Sequence, residues 1–204
     1  MSKRELERQI DSGYYERYML SQNPQSLALE TAKKATGNIF LDNYVLDFLD
    51  VPEPMSEHDL QKSIIRNLKD FILEIGKDFT FVGEEYRVQV GNHDFFIDLL
   101  FYHRGLSCLV AFELKIGEFK PEYVGQINLY LEALDREVKK ENENPSVGII
   151  LCASKDDEVV EFALSRSLSP TMVAEYNLKL IDKKLLQKKL KEYIELAKLT
   201  EENT

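Results

Sequence analysis

Apolar residues fall into a clear period from residue 60 onward. Leu60, Ile64, Leu68, Phe71, Ile72 and Ile75 recur at three- and four-residue steps, which predicts one stripe along a helix. Ser56 followed by Asp59 is a capping box that opens it, and Gly76 is a C′ stop. Three strands are then predicted, at "EYRVQV" (85–90), "DFFIDLLFY" (94–102) and "LSCLVAFELK" (106–115), with "HRGL" as the turn between the last two. Pro121 starts a second helix, whose stripe is Tyr123, Ile127, Tyr130, Leu131, Leu134 and Val138. "SVGIILCAS" (146–154) is apolar almost throughout and predicts a strand in the sheet centre. A helix over 156–167, a strand at "MVAEYNLKLI" and a Lys-rich helix from Asp182 to Lys198 complete the chain. The order αβββαβαβα predicts an α/β domain, a mixed sheet flanked by helices.

Before residue 43 the pattern is weaker. Residues 2–20 predict a polar helix with a modest stripe of Leu6, Ile10 and Tyr14, and 21–37 a loop or weakly formed helix. "NYVLDFLD" (43–50) is a short apolar anchor, and Pro52 and Pro54 mark a boundary. The expected division is an N-terminal helical arm at 1–42 and a globular domain at 43–204.

Composition narrows the classes. The chain has 204 residues, 44% of them hydrophobic, enough for one substantial core. No stretch approaches the roughly 18 apolar residues of a membrane span, and "MSKRELERQI" has no signal-peptide core, so a cytoplasmic protein is expected. Cys108 and Cys152 sit inside strand-like runs and read as buried, reduced thiols. The three scattered histidines give zinc little support. With 26 Lys and Arg against 36 Asp and Glu, the net charge is −10, so nucleic-acid binding would need a local basic patch or metal ions.

The candidate chemistry lies in "LVAFELK" (109–115), where Glu113 and Lys115 interrupt a core-seeking strand. Alternation points both the same way as Leu109 and Ala111. Asp98 is the one charge within "FFIDLLFY", and antiparallel pairing through "HRGL" brings it opposite a residue near 111–113. Two carboxylates pressed together in an apolar sheet repel unless a cation lies between them. Oxygen donors at that density suit Mg²⁺ or Mn²⁺. Glu57 adds a third carboxylate in the first turn of the first helix, and Gln126 and Tyr130 lie one turn apart on the second. Spacing leaves two further readings open. Asp98, Glu113 and Lys115 form a buried ion triad, or they are edge charges that block aggregation.

Asp98, fourteen residues, then Glu113-Leu114-Lys115 resembles the D…(D/E)-x-K signature of the PD-(D/E)xK nuclease superfamily. Gln126-Ile-Asn-Leu-Tyr130 resembles the Q-x-x-x-Y motif of its RecB-like members. The stretch from "FVGEEYRVQV" through "DLLFYHRGL" to "GEFKPEYVGQINLYL" is similar to the YhcG-type family of prokaryotic nuclease domains, a likeness running from residue 43 into the C-terminal region. "RELERQIDSGYYER" resembles the tail of the helical domain that precedes the nuclease in that family. Ile97 stands where the superfamily name has proline, and Gln61 where a first-helix acid is often found, leaving Glu57 as the candidate acid.

The resemblance implies a restriction-endonuclease-like αβββαβ core and Mg²⁺- or Mn²⁺-dependent hydrolysis of nucleic-acid phosphodiesters, DNA foremost. It implies Asp98, Glu113 and the Leu114 backbone carbonyl as metal ligands and Lys115 as a catalytic residue. Glu57 would reach a second metal or its water shell. Gln126, Tyr130 and Lys120 would support the site or contact the nucleic acid. A homodimer through the arm is a further expectation. The competing readings are a catalytically silent nucleic-acid-binding module and a protein-interaction subunit of a defence or repair complex.

Overall fold

The computed structural model describes residues 3–21, 39–76, 78–167, 169–180 and 182–201; the loop expected at 21–37 lies almost wholly outside them. Six strands form one sheet: β1 (Asn43–Val45), β2 (Phe79–Val90), β3 (His93–His103), β4 (Cys108–Leu114), β5 (Val147–Cys152) and β6 (Thr171–Asn177), in the spatial order β1-β6-β5-β4-β3-β2. The pairs β1–β6, β6–β5 and β5–β4 are parallel, and β4–β3 and β3–β2 antiparallel. β4 and β5 are buried at every position, as their unbroken apolar runs require of strands covered on both faces. Strand β1 was missed because three residues carry no readable alternation. β2 begins at Phe79, six residues before the predicted start.

One face of the sheet is covered by α3 (Glu57–Arg66) and α4 (Leu68–Ile75). Ser56 caps α3 as a capping box with Asp59. The single predicted helix is two, interrupted at Asn67, whose side chain donates to the Ser63 carbonyl. The stripe survives the break: Leu60, Ile64, Phe71 and Ile75 enter a core with Phe101, Phe112 and Leu114. Gly76 ends α4 at φ 135, in the region that favours glycine.

The opposite face is covered by α5 (Glu122–Glu137) and α6 (Asp157–Leu164). Ile127, Tyr130, Leu131 and Leu134 of α5 pack on Leu100, Ala111 and Ile150. A Cβ built on Gly148 of β5 would stand 2.6 Å from Ile127 and 3.2 Å from Leu131. Glycine there lets α5 lie directly on the sheet, which fixes the height of every α5 side chain near the β4 end.

The arm also breaks in two, α1 (Lys3–Asp11) and α2 (Tyr14–Ser21), at Gly13 with φ 63. Its buried side lies on its own chain. Arg17, 1% exposed, reaches fully buried Glu74 at 2.7 Å and donates to the Asn43 carbonyl. Arg8 meets Glu74 at 3.2 Å and Asp47 at 3.3 Å. Glu74 also accepts the Val45 N–H, so one carboxylate joins arm, α4 and β1. α2 further packs on α7 (Lys183–Glu201), where Gln187 donates to Glu16. Among the described residues no helix is long and apolar enough to cross a membrane.

Glu74→Ala removes the carboxylate from the buried Arg17 guanidinium and the acceptor from the Val45 N–H, so it should cost ~3–5 kcal/mol in urea unfolding. A loss below ~1 kcal/mol, the scale of surface pairs, would show that the arm does not depend on this carboxylate.

Candidate active site at the end of the β3–β4 ladder

The β3–β4 pairing runs from His103↔Cys108 to Leu99↔Phe112 and stops. Asp98 and Glu113 are the next residues on the two strands, the opposition expected from the turn. The Leu114 N–H, which would continue the ladder, donates instead to Asp98 Oδ2 at 2.7 Å. Asp98 thus ends the ladder with its side chain.

Simple alternation fails at this point. Leu99 and Phe101 pack on the α3–α4 face and Leu100 on the α5 face, but Ile97 also packs on the α5 face. Across β2, Glu84 pairs with Leu99 and Tyr86 with Ile97, so Glu85 lies opposite Asp98. Glu85 adopts φ 45, a left-handed conformation unfavourable for a non-glycine residue. At Asp98 the β2–β3 ribbon thus changes the face it buries, and beyond it Ile97 and Val88 pack with α5.

Lys115, just beyond β4, is held from both layers. Its Nζ lies 2.8 Å from Glu113 Oε1 and 3.4 Å from Glu57 Oε2 on α3. It also lies 5.0 Å from the ring centroid of Tyr123 on α5. Glu113 is 3% exposed and Lys115 10%, while Glu57 stands at the open side of the cleft.

Burial, then the Asp98 charge, pushes the Glu113 carboxyl up to about 7, against its Lys115 contact. Burial also raises Asp98, opposed by the Leu114 N–H and Lys115 and reinforced by Glu57 and Glu85. Burial by itself pulls Lys115 down, but the Glu113 hydrogen bond and the surrounding carboxylates outweigh it and hold the ammonium above its ordinary range. Burial first, and then a negative charge that one cation does not balance, raises both carboxyls of the pair.

Gln126 donates to the Tyr130 hydroxyl at 2.8 Å on α5. Burial raises Tyr130, countered by that hydrogen bond, and it feels the charges of Glu113, Asp98 and Lys115. Lys120 stands exposed before α5 with its carbonyl accepting the Tyr123 N–H. Three contacts escaped sequence reasoning. Tyr123 was assigned only to the helix stripe. Glu85 carries no signal without the register. Gln61, noted only for lacking an acid, donates Nε2 to the Asp98 carbonyl at 2.8 Å.

Among the described residues no three His, Cys, Asp or Glu side chains form a metal cage; Glu57 is turned to Lys115. The donor set nevertheless fits a hard cation that keeps several waters. Among the described residues Glu113 Oε2, which is buried, has no hydrogen-bond partner, an arrangement that costs free energy until a partner meets it.

A carboxyl held above its ordinary 4.5 keeps its proton in the folded chain after the unfolded chain has lost it. The contribution of Glu113 to the stability of the metal-free protein is therefore greatest below pH 4.5 and falls as pH rises toward about 7. In EDTA, Glu113→Gln should gain stability relative to wild type between pH 5 and pH 8, read by urea unfolding at each pH; parallel profiles would contradict the raised carboxyl.

The family model described as the YhcG PDDEXK nuclease domain matches residues 37–191. The chain is 37% identical over 193 residues to a protein of Escherichia coli (strain K12) named "Putative nuclease YhcG", covering 93% of this chain and 52% of that one. It thus spans about half the length of that relative. Among solved structures it is similar to a repair endonuclease from Pyrococcus abyssi, with a TM-score of 0.41 at 17% identity, covering 62% of this chain and 48% of that. A second is the "EndoMS-dsDNA2 complex", with a TM-score of 0.42 at 20% identity, covering 59% and 43%. With most of its length matched by the family model, and with an acid pair and lysine at the end of the β3–β4 ladder, the chain belongs to the YhcG PDDEXK nuclease domain family.

Proposed function

We propose that this chain is a divalent-metal-dependent nuclease that hydrolyses phosphodiester bonds of nucleic acid, DNA foremost. The observation that carries the reading is the buried Glu113 Oε2, unpartnered among the described residues, beside Asp98 and Lys115. Asp98, Glu113 and the Leu114 backbone carbonyl would hold Mg²⁺ or Mn²⁺. Once bound, such a cation polarises a phosphoryl oxygen and makes water more acidic.

The chain's own groups supply the rest. Lys115 Nζ orients the attacking water and balances charge developing on the phosphate; its contacts with Glu113, Glu57 and Tyr123 fix its position in advance. Glu57, half exposed and bonded to Lys115, would reach the water shell or a second cation. Gln126 and Tyr130 brace the α5 side, and Lys120 at the entry to that helix meets an adjacent phosphate. Local cations answer the overall charge of −10. A homodimer would form through the arm's other side, where Leu6, Tyr15 and Tyr18 stand in solvent; light scattering reads it directly.

Cleavage of single- and double-stranded DNA, and of RNA, should be assayed with Mg²⁺, with Mn²⁺ and in EDTA. Cleavage should require the metal. Lys115→Met should lose ~10²-fold or more, the scale of removing one preorganised charge. Asp98→Asn keeps an acceptor for the Leu114 N–H and relieves repulsion, so it should abolish cleavage while leaving metal-free stability unchanged or higher. A large stability loss in EDTA would favour the buried ion triad instead. Nucleic-acid binding in Ca²⁺ without turnover in Mg²⁺ or Mn²⁺ would identify a silent binding module.

A further inference from the structure

We infer that Gln61 is a positioning residue for Asp98, an assignment that rests on the nuclease reading above and extends it. Asp98 sits where β3 loses its β4 neighbour and keeps pairing only with β2. The β3–β4 ladder ends at Leu99↔Phe112, alternation breaks between Ile97 and Leu99, and the residue opposite on β2 adopts φ 45. A carboxylate on such a segment needs its main chain fixed by something outside the sheet.

Gln61 provides that fixation. It lies on α3, one turn after Glu57, and is 5% exposed. Its Nε2 donates to the Asp98 carbonyl at 2.8 Å. The neighbouring stripe residues Leu60 and Ile64 are fully buried against the sheet, so the helix that carries Gln61 cannot shift without disturbing the core. Asp98 is thereby gripped at two points, its carbonyl by Gln61 from α3 and its Oδ2 by the Leu114 N–H from β4. The same helix turn carries Glu57, whose carboxylate meets Lys115. One helix thus sets the spacing between the Asp98–Glu113 pair and the third acid. An amide suits this role better than the acid often found at this position, because a carboxylate would face the Asp98 carbonyl with no proton to donate.

Gln61→Met and Gln61→Leu, of similar volume, remove the donor. Calorimetric titration with Mn²⁺ in the absence of nucleic acid reads the acid pair independently of cleavage. Both variants should need about tenfold more Mn²⁺ for half-saturation, the low end for groups that orient metal ligands. The cleavage rate at saturating DNA should fall, with KM for DNA held within about twofold. Ser63→Ala is the control on the same helix; it loses a buried hydrogen bond to the Asp50 carbonyl away from the acids, and should leave Mn²⁺ half-saturation where it is. Unchanged Mn²⁺ binding in both Gln61 variants, or an equal shift in Ser63→Ala, overturns the assignment while leaving the nuclease reading intact. Wild-type protein that neither binds Mn²⁺ nor cleaves defeats the nuclease reading, and the assignment with it.

Discussion

The site depends on where one hydrogen-bond ladder stops. As long as β3 and β4 pair main chain to main chain, their side chains belong to two apolar cores. At Asp98 the pairing ends, and a carboxylate takes the Leu114 N–H that the ladder no longer serves. That exchange satisfies a backbone donor that burial would otherwise penalise. It also holds an acid beside Glu113 at the rim of the sheet. Ladder end and acid pair are the same feature.

Around that point the protein tolerates an electrostatic imbalance. Glu57, Asp98 and Glu113 face a single lysine, and burial keeps solvent from screening Asp98 and Glu113, while Glu57 is half exposed. An unpartnered buried polar atom costs free energy, and among the described residues both charged clusters carry one, Glu113 Oε2 here and Arg8 Nε in the arm. The contrast lies in the acids. In the arm the buried Glu74 has both oxygens engaged, by Arg17, by Arg8 and by the Val45 N–H. One buried acid has both oxygens engaged and joins three elements of the fold; the other, almost as deeply buried, has one oxygen unengaged among the described residues.

Much of this was legible in the residues. Helix stripes, the Ser56 capping box, the apolar β5 strand and the interruption of β4 by Glu113 and Lys115 are local patterns. Local patterns survive because propensity and burial act in the same direction. The opposition of Asp98 and Glu113 follows from one short turn and an antiparallel register. β1 was illegible because its three residues pair in parallel with β6, more than a hundred positions away. The breaks at Asn67 and Gly13 were hidden because an amphipathic stripe continues across an interruption.

The sequence by itself determined the order of elements, the faces they bury, and the acid and lysine chemistry at the β4 end, since each is written in spacing along a few neighbouring residues. Tertiary structure alone decided which groups hold that chemistry in place. Gln61 meets Asp98 across 37 positions, and Lys115 meets Glu57 across 58. Glu85 comes opposite Asp98 only through the β2–β3 register. Arg17 meets Glu74 across 57 positions. Such contacts join residues with no shared period, and they exist only once both layers have closed on the sheet.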